Sequence, residues 1–190
     1  MRLGHPFRWI ILLTILASLL GPLAGARADS RYQSSQVQAV LTSMTPEERV
    51  GQLFLVTFKG TEANDQSHIY DLIANYHVGG VVLLAGNDNF VAEPDTVPAA
   101  HQLINALQTI ESNATTAPLE GQSTDKIYVP LFVGISQEGG GSPHDQILSG
   151  LTPLPDAMAI GAAWSTALAS QVGSILGSEL SALGFNLLLG

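Results

Sequence analysis

The sequence predicts an α/β fold made of parallel strands with helical crossovers. Three observations carry this reading. Apolar runs of strand length occur at 53–58, 81–84 and 128–135, and continuous runs without polar alternation suit strands covered on both faces. Between them lie segments whose apolar residues recur at helical spacing. The two kinds of segment alternate from residue 45 to the end of the 190-residue chain, which is the pattern of a parallel sheet.

The elements follow in order. Residues 29–43 begin polar and become helix-compatible through Val37, Val40 and Leu41, a lead-in segment ahead of the main domain at 44–190. At Thr45-Pro46-Glu47-Glu48 the threonine can cap a helix, the proline suits its first position, and Glu48 completes a capping box. That helix is short, because Gly51 is followed by the first strand, expected over 53–58. A helix over 65–76 has Ile69, Leu72, Ile73 and Tyr76 on one face, and Gly79-Gly80 opens the second strand at 81–84. Pro98 begins a helix to about residue 112, with Leu103, Ile104, Leu107 and Ile110 as its apolar stripe. Residues 113–126 read as a polar loop and 128–135 as the third strand. A proline-bearing loop (Pro143, Pro153, Pro155) leads to a helix over 165–183 with a stripe of Leu168, Val172, Ile175, Leu176 and Leu180. Gly184 is placed to end it, and residues 185–189 start a fourth strand. An open doubly wound sheet and a (β/α)8 barrel both accommodate this alternation. Periodicity alone leaves the two open. The last residues form an apolar strand with no helix after it, which an open sheet would leave as a bare edge. The favoured architecture is therefore the amino-terminal half of a TIM-like (β/α)8 barrel, four parallel strands with helical crossovers.

Composition sets the compartment and narrows the partners. Arg2 and Arg8 flank a short basic start, residues 10–23 are apolar apart from scattered small polar side chains, and Ala26-Arg27-Ala28 offers small residues where a signal peptidase reads. Residues 1–28 are expected to be a cleaved secretory signal, since the apolar core is short for a membrane span of roughly 20 residues. Beyond residue 28 the chain has four basic and 16 acidic side chains. Such a surface repels phosphate backbones and anionic lipid, so neither nucleic acid nor a membrane is an expected partner, and a secreted or extracytoplasmic location is expected. The chain has no cysteine, which removes disulfides, thiol catalysis and thiolate metal sites. His68, His77, His101 and His144 lack ligand spacing, so no metal and no cofactor is expected.

The stretch that stands out is IYVPLFVGISQEGGGSP, residues 127–143. A buried strand ends in polar groups and then in three glycines. The carboxyl end of a barrel strand is where active-site loops begin, and glycines let a ligand approach the backbone. Gly139 to Gly141 lacks the lysine of a phosphate-binding loop, which disfavours a nucleotide. Gln137 and Glu138 open either an ordinary surface turn or a site, and in the second case Ser136, Gln137, Glu138 and Gly141 are the expected ligand-binding residues. His144 and Asp145 are read as solvated loop residues and Trp164 as a core side chain.

Five ordered segments carry a family resemblance. Met44-Thr45-Pro46-Glu47-Glu48-Arg49-Val50-Gly51-Gln52-Leu53-Phe54 resembles the M-T-x-E-E-K-[IV]-G-Q-L-F start of glycoside hydrolase family 3 domains. Val78-Gly79-Gly80-Val81-Val82-Leu83 with Asn87 is similar to V-G-G-[VI]-I-L-F…N. Residues 129–140 parallel P-L-[LF]-[IV]-[AG]-[IV]-D-Q-E-G-G, and Leu154-Pro155-Asp156-Ala157-Met158-Ala159-Ile160-Gly161-Ala162 matches L-P-x-x-M-A-[LI]-G-A. Glu179-Leu180-Ser181-Ala182-Leu183-Gly184-Phe185-Asn186 resembles E-L-R-A-L-G-[IF]-N. The pattern lies closer to the β-N-acetylhexosaminidase branch than to the large β-glucosidases. The resemblance implies a TIM-like barrel and retaining hydrolysis of β-linked sugars, with a carbohydrate as the partner.

Two departures qualify what the resemblance implies. The family's D-Q-E-G-G-R reads Ser136-Gln137-Glu138-Gly139-Gly140-Gly141 here. In the family that aspartate and arginine help hold hydroxyls of the non-reducing sugar. A serine cannot chelate two hydroxyls as a charged acceptor does, and hydrogen bonds to charged groups are worth roughly 1.5–3 kcal/mol, so weaker or altered sugar binding is implied. The family's nucleophilic aspartate, its acid/base and its K-H-F-P-G-H-G motif all lie beyond the fourth strand. No catalytic residue is assigned in this chain, which is expected to be an amino-terminal fragment inactive alone. Glu138 is read as structural rather than catalytic, because one carboxylate is not the pair that retaining hydrolysis needs.

Overall fold

The computed structural model describes residues 29–116 and 127–190. The expected signal segment at 1–28 lies outside the described residues, as does the part of the expected polar loop at 117–126. The chain divides at Thr42 and Ser43. Ahead of that division the described structure is one helix, α1 (Asp29–Ser43), on which Val37 and Leu41 are exposed. No described helix is long and apolar enough to cross a membrane.

The second unit contains a four-stranded sheet: β1 (Leu55–Val56), β2 (Gly80–Val82), β3 (Phe132–Ser136) and β4 (Leu187–Leu189). All neighbours are parallel and the order is β1-β2-β3-β4. Consecutive order is what a barrel requires; a doubly wound sheet would reverse direction at its first strand. Helices α2 (Pro46–Gly51), α3 (His68–Ala74), α4 (Thr96–Thr116), α5 (Ala157–Ala162) and α6 (Thr166–Leu183) precede, connect and cover the strands. Side chains alternate across a strand, so Val81, Leu83, Val133 and Ile135 face the helices. There they join Ile69, Ile73, Leu103, Ile104, Leu107, Leu180 and Leu183 in one core. The other face has Gly134 at its centre, where an added Cβ would touch the side chains of Val82, Leu187 and Leu189 at 3.3–3.6 Å. Ser136 belongs to this inner face and lies opposite Leu189.

Local chemistry explains the boundaries. The capping box forms as read: Thr45 Oγ1 accepts from the Glu48 amide and Glu48 Oε2 from the Thr45 amide. Helix α3 starts later than residue 65 because Asn64 and Ser67 first make a side-chain-stabilised turn, in which the Gln66 amide donates to Asn64 Oδ1. Ser67 then caps the helix through the Tyr70 amide. The helix ends at Ala74, so Tyr76 is exposed rather than on the buried face. Helix α4 extends beyond residue 112 to Thr116, its last turns carrying Thr side chains that bond back to the preceding turn. Helix α5 falls inside what reads as loop; Asp156 caps it by accepting from the Ala159 amide at 2.6 Å. On α6, Val172, Leu180 and Leu183 are buried, but Leu168 and Ile175 are exposed, so the predicted stripe is too wide. Gly184 ends α6 at φ +100°.

Candidate functional site at the carboxyl rim

The carboxyl ends of parallel strands share one rim. The 3-10 turn Ala85–Asn87 follows β2 there, and Ser136 ends β3 there. The rim loops are joined to each other by side-chain amides. Asn89, 1% exposed, accepts from the Leu84 amide at 2.9 Å and donates to the carbonyls of Phe58 (3.1 Å) and Gly60 (2.7 Å), tying the loop after β1 to the end of β2. Gly60 N–H in turn donates to the Asn87 carbonyl at 2.8 Å. Gln146 Oε1 accepts from the Ala85 amide at 2.8 Å and ties that turn to the loop after β3. These bonds hold the rim in place before any ligand arrives.

The four residues expected to bind ligand have different fates. Ser136 is half-buried at the top of β3 and Glu138 is exposed. The Glu138 side chain lies across the end of β4: its Cγ and Oε1 are 3.7 and 3.8 Å from where a Cβ on Gly190 would stand. Gln137 departs from the expectation. It is buried, its Oε1 accepts from the amides of Gln146 (3.1 Å) and Ile147 (3.0 Å), and its Nε2 donates to the Ile147 carbonyl (2.8 Å). Alternation along the chain turns it away from the face that Ser136 occupies, so it holds the loop together. Gly141 offers backbone only. Its φ is +82° with open space around the missing side chain.

Gly139 and Gly140 also have positive φ, +89° and +83°. A Cβ on Gly139 would lie 2.5 Å from the Pro155 carbonyl oxygen, and one on Gly140 would lie 2.7 Å from Asp156 Cβ. The glycine loop is therefore pressed against residues 154–156, where the Gly140 amide donates to the Leu154 carbonyl at 2.9 Å. Glycine is required there for conformation and for space. Asp145, read from sequence as a solvated loop residue, instead accepts three backbone bonds of 2.8 Å. The amides of Glu138 and Gly139 donate to its Oδ1 and that of Gly141 to its Oδ2. No local sequence motif marks this role; only the spacing of an aspartate four residues past a glycine run hints at it.

Behind the loop, a cavity of about 340 Å³ is lined by Gly139 to Gly141, Leu148, Leu151, Leu176 and Glu179, among others. Glu179 closes its far side by accepting from the backbone amide and the hydroxyl of Thr152. Trp164 is not in the core as expected but 96% exposed, at φ +49° between α5 and α6. The described residues contain no group of three or more histidine and acidic side chains placed to hold a metal ion.

The family model described as the glycosyl hydrolase family 3 N terminal domain matches residues 45–190. The chain belongs to glycoside hydrolase family 3. It is similar to beta-hexosaminidase A of Pseudoalteromonas piscicida, 26% identical over 161 residues that make up 83% of this chain and 20% of that protein. It is also similar to a family 3 beta-N-acetylglucosaminidase from Paenibacillus sp. str. FPU-7. There the identity is 33% and the TM-score 0.62, over 77% of this chain and 24% of that one. The likeness to native NagZ from Neisseria gonorrhoeae, 19% identical with a TM-score of 0.53 over 72% of this chain and 34% of that one, concerns the fold alone. The chain thus spans about a quarter or less of the two more similar relatives. The sheet is the first part of the family's TIM-barrel-like domain.

Proposed function

We propose that this chain is the amino-terminal, sugar-holding part of an exported glycoside hydrolase that acts with retention on β-linked sugars, β-N-acetylhexosaminides above all. One observation supports this reading most: in a family 3 domain, β3 delivers Ser136 and Glu138 to the rim beside a backbone stripped of side chains. A sugar hydroxyl needs an acceptor and a close approach, and this arrangement supplies both. The exported location rests on the basic and apolar start of the sequence at residues 2–28.

Retaining hydrolysis needs two carboxyl groups about 5 Å apart. Glu138 has two acidic neighbours in its loop, but Asp145 is engaged by three amides and Asp156 by the Ala159 amide. On this reading the chain contributes binding, and the reacting carboxylates belong to the rest of the barrel rim. The substitutions at Ser136 and Gly141 favour a second reading, a carbohydrate-binding relative without turnover. Residues 29–190 are expected to hydrolyse no chromogenic β-N-acetylglucosaminide or β-glucoside. Turnover by a purified, monodisperse preparation would refute this and return Glu138 to consideration as a catalyst. The same substrates offered to a chain extended through the remaining barrel strands separate the two readings: hydrolysis supports the enzyme, and binding without hydrolysis supports the relative.

A further inference from the structure

We propose that Asp145 is a positioning residue that acts as the built-in anion of the glycine loop, fixing Glu138 toward the sugar and keeping the rim closed to charged ligands. The proposal rests on the carbohydrate reading of the rim given above, but its structural part does not. Successive backbone amides turned to one side by positive-φ residues form a concavity that attracts anions. Here Gly139, Gly140 and Gly141 all have φ between +82° and +89°. The amides of Glu138, Gly139 and Gly141 converge on the one carboxylate of Asp145, each at 2.8 Å. Such a concavity left open would recruit phosphate or a carboxylated sugar. Filled from within by a carboxylate, it leaves those three amides unavailable to a further anion, which suits uncharged sugars.

The placement of Asp145 needs no ligand. The two residues after it are held by Gln137, whose Oε1 takes the amides of Gln146 and Ile147. The Asp145 amide itself donates to the Gly141 carbonyl at 3.1 Å. Two side chains thus clamp the loop reciprocally: Gln137 holds the backbone beyond Asp145, and Asp145 holds the backbone beyond Gln137. Because the first amide held is that of Glu138, the direction in which its side chain leaves toward β4 depends on Asp145.

The test uses Asp145→Ala and the isosteric Asp145→Asn, with amide NMR and N-acetylglucosamine titration. In the unsubstituted protein the amides of Glu138, Gly139 and Gly141 should be protected from exchange and unmoved by inorganic phosphate or formate. In Asp145→Ala they should lose protection, and N-acetylglucosamine binding should weaken about tenfold, the size expected for losing a charge-assisted bond network. Formate should bind at those three amides in the alanine variant and restore sugar binding, a rescue that a side chain needed only for its bulk would not give. Asp145→Asn should release the Gly141 amide most, since it loses its second acceptor oxygen. Unprotected amides in the unsubstituted protein, or formate that neither reaches them nor restores the sugar in Asp145→Ala, would overturn the proposal. Should Asp145→Ala fail to fold, Asp145→Asn and the exchange pattern of the unsubstituted protein still decide it. Absence of sugar binding by the unsubstituted protein would count against the carbohydrate reading, and the amide and formate measurements would still judge Asp145.

Discussion

Replacing Asn89 tests whether the rim is held by side-chain amides as described. Asn89 is 1% exposed and makes three bonds, accepting from the Leu84 amide and donating to the carbonyls of Phe58 and Gly60. Each bond contributes about 1 kcal/mol net, and a buried partner left unsatisfied costs about 1–3 kcal/mol. The Phe58 carbonyl bond is buried, whereas the other two are part-buried, so only one partner incurs that penalty in full. Asn89→Ala should therefore destabilise the domain by about 3–5 kcal/mol. Asn89→Asp is the sharper variant. It keeps the acceptor for Leu84 but sets an oxygen against two carbonyl oxygens, and at neutral pH it buries a charge. It should be at least as damaging as alanine at neutral pH. Its folded-state pKa should be raised above the unfolded value, so stability should recover as the pH falls through that folded value. Urea unfolding from acid to neutral pH reads both effects, with amide exchange at Leu84 as the local report. An Asn89→Asp variant within about 1 kcal/mol of the parent at neutral pH would refute the account of how the rim is held.

Two further predictions concern the glycine loop and the opposite end of the barrel. Gly141→Ala should cost about 1 kcal/mol for its positive φ alone, whereas Gly139→Ala must also displace the Pro155 carbonyl, 2.5 Å from the new Cβ, and should cost clearly more; equal losses in urea unfolding would contradict the packing described. Glu111 is 4% exposed, and its Oε2 has no hydrogen-bond partner among the described residues, while Oε1 accepts from Thr115. Burial first, and the charge of Glu48 after it, push its pKa above the ordinary carboxylate range, with the Thr115 bond opposing them. A folded-state pKa raised above the unfolded one gives stability that is full below the unfolded value and is lost as pH rises through the folded value. Glu111→Gln should therefore be more stable than the parent at neutral pH and lose that advantage in acid, and a pH-independent difference would show that folding does not raise the Glu111 pKa.

How much of this was legible beforehand depends on which forces act locally. The capping box at Thr45 and Glu48 and the Gly184 stop are formed by residues within a few positions of each other, and both appear as read. The strand order followed from the strand–helix alternation together with the family resemblance. Strand lengths did not: of residues 53–58 only Leu55 and Val56 pair, and Leu53 is 81% exposed. Apolar character marks what a segment would bury, whereas pairing depends on a neighbour strand distant in sequence. Trp164 and Ile175 fail for the same reason, since hydrophobic side chains reveal a tendency to be covered and not what covers them. Helix α5 was missed because it is six residues long and carries no apolar stripe for a periodicity to show.

The site was harder to read than the fold, for a physical reason. Sequence distinguishes residues that carry chemistry, and it placed Ser136 and Glu138 on the rim by following a strand into a glycine run. It does not distinguish a polar side chain that meets ligand from one that meets backbone. Gln137 sits between Ser136 and Glu138 and looks equivalent to them, yet alternation turns it inward to satisfy amides of the same loop. Asp145 is the converse case, since its loop position and charge resemble those of a free acid. A run of glycines with positive φ turns several amides to one side, and those amides need an acceptor. The nearest acidic side chain downstream can reach them through a tight turn, and here it does. In a chain otherwise poor in charge, at 12%, an aspartate a few residues beyond such a run is therefore better assigned to the backbone than to solvent. Sequence could have supported that assignment had the unsatisfied amides been counted before the side chains were given roles.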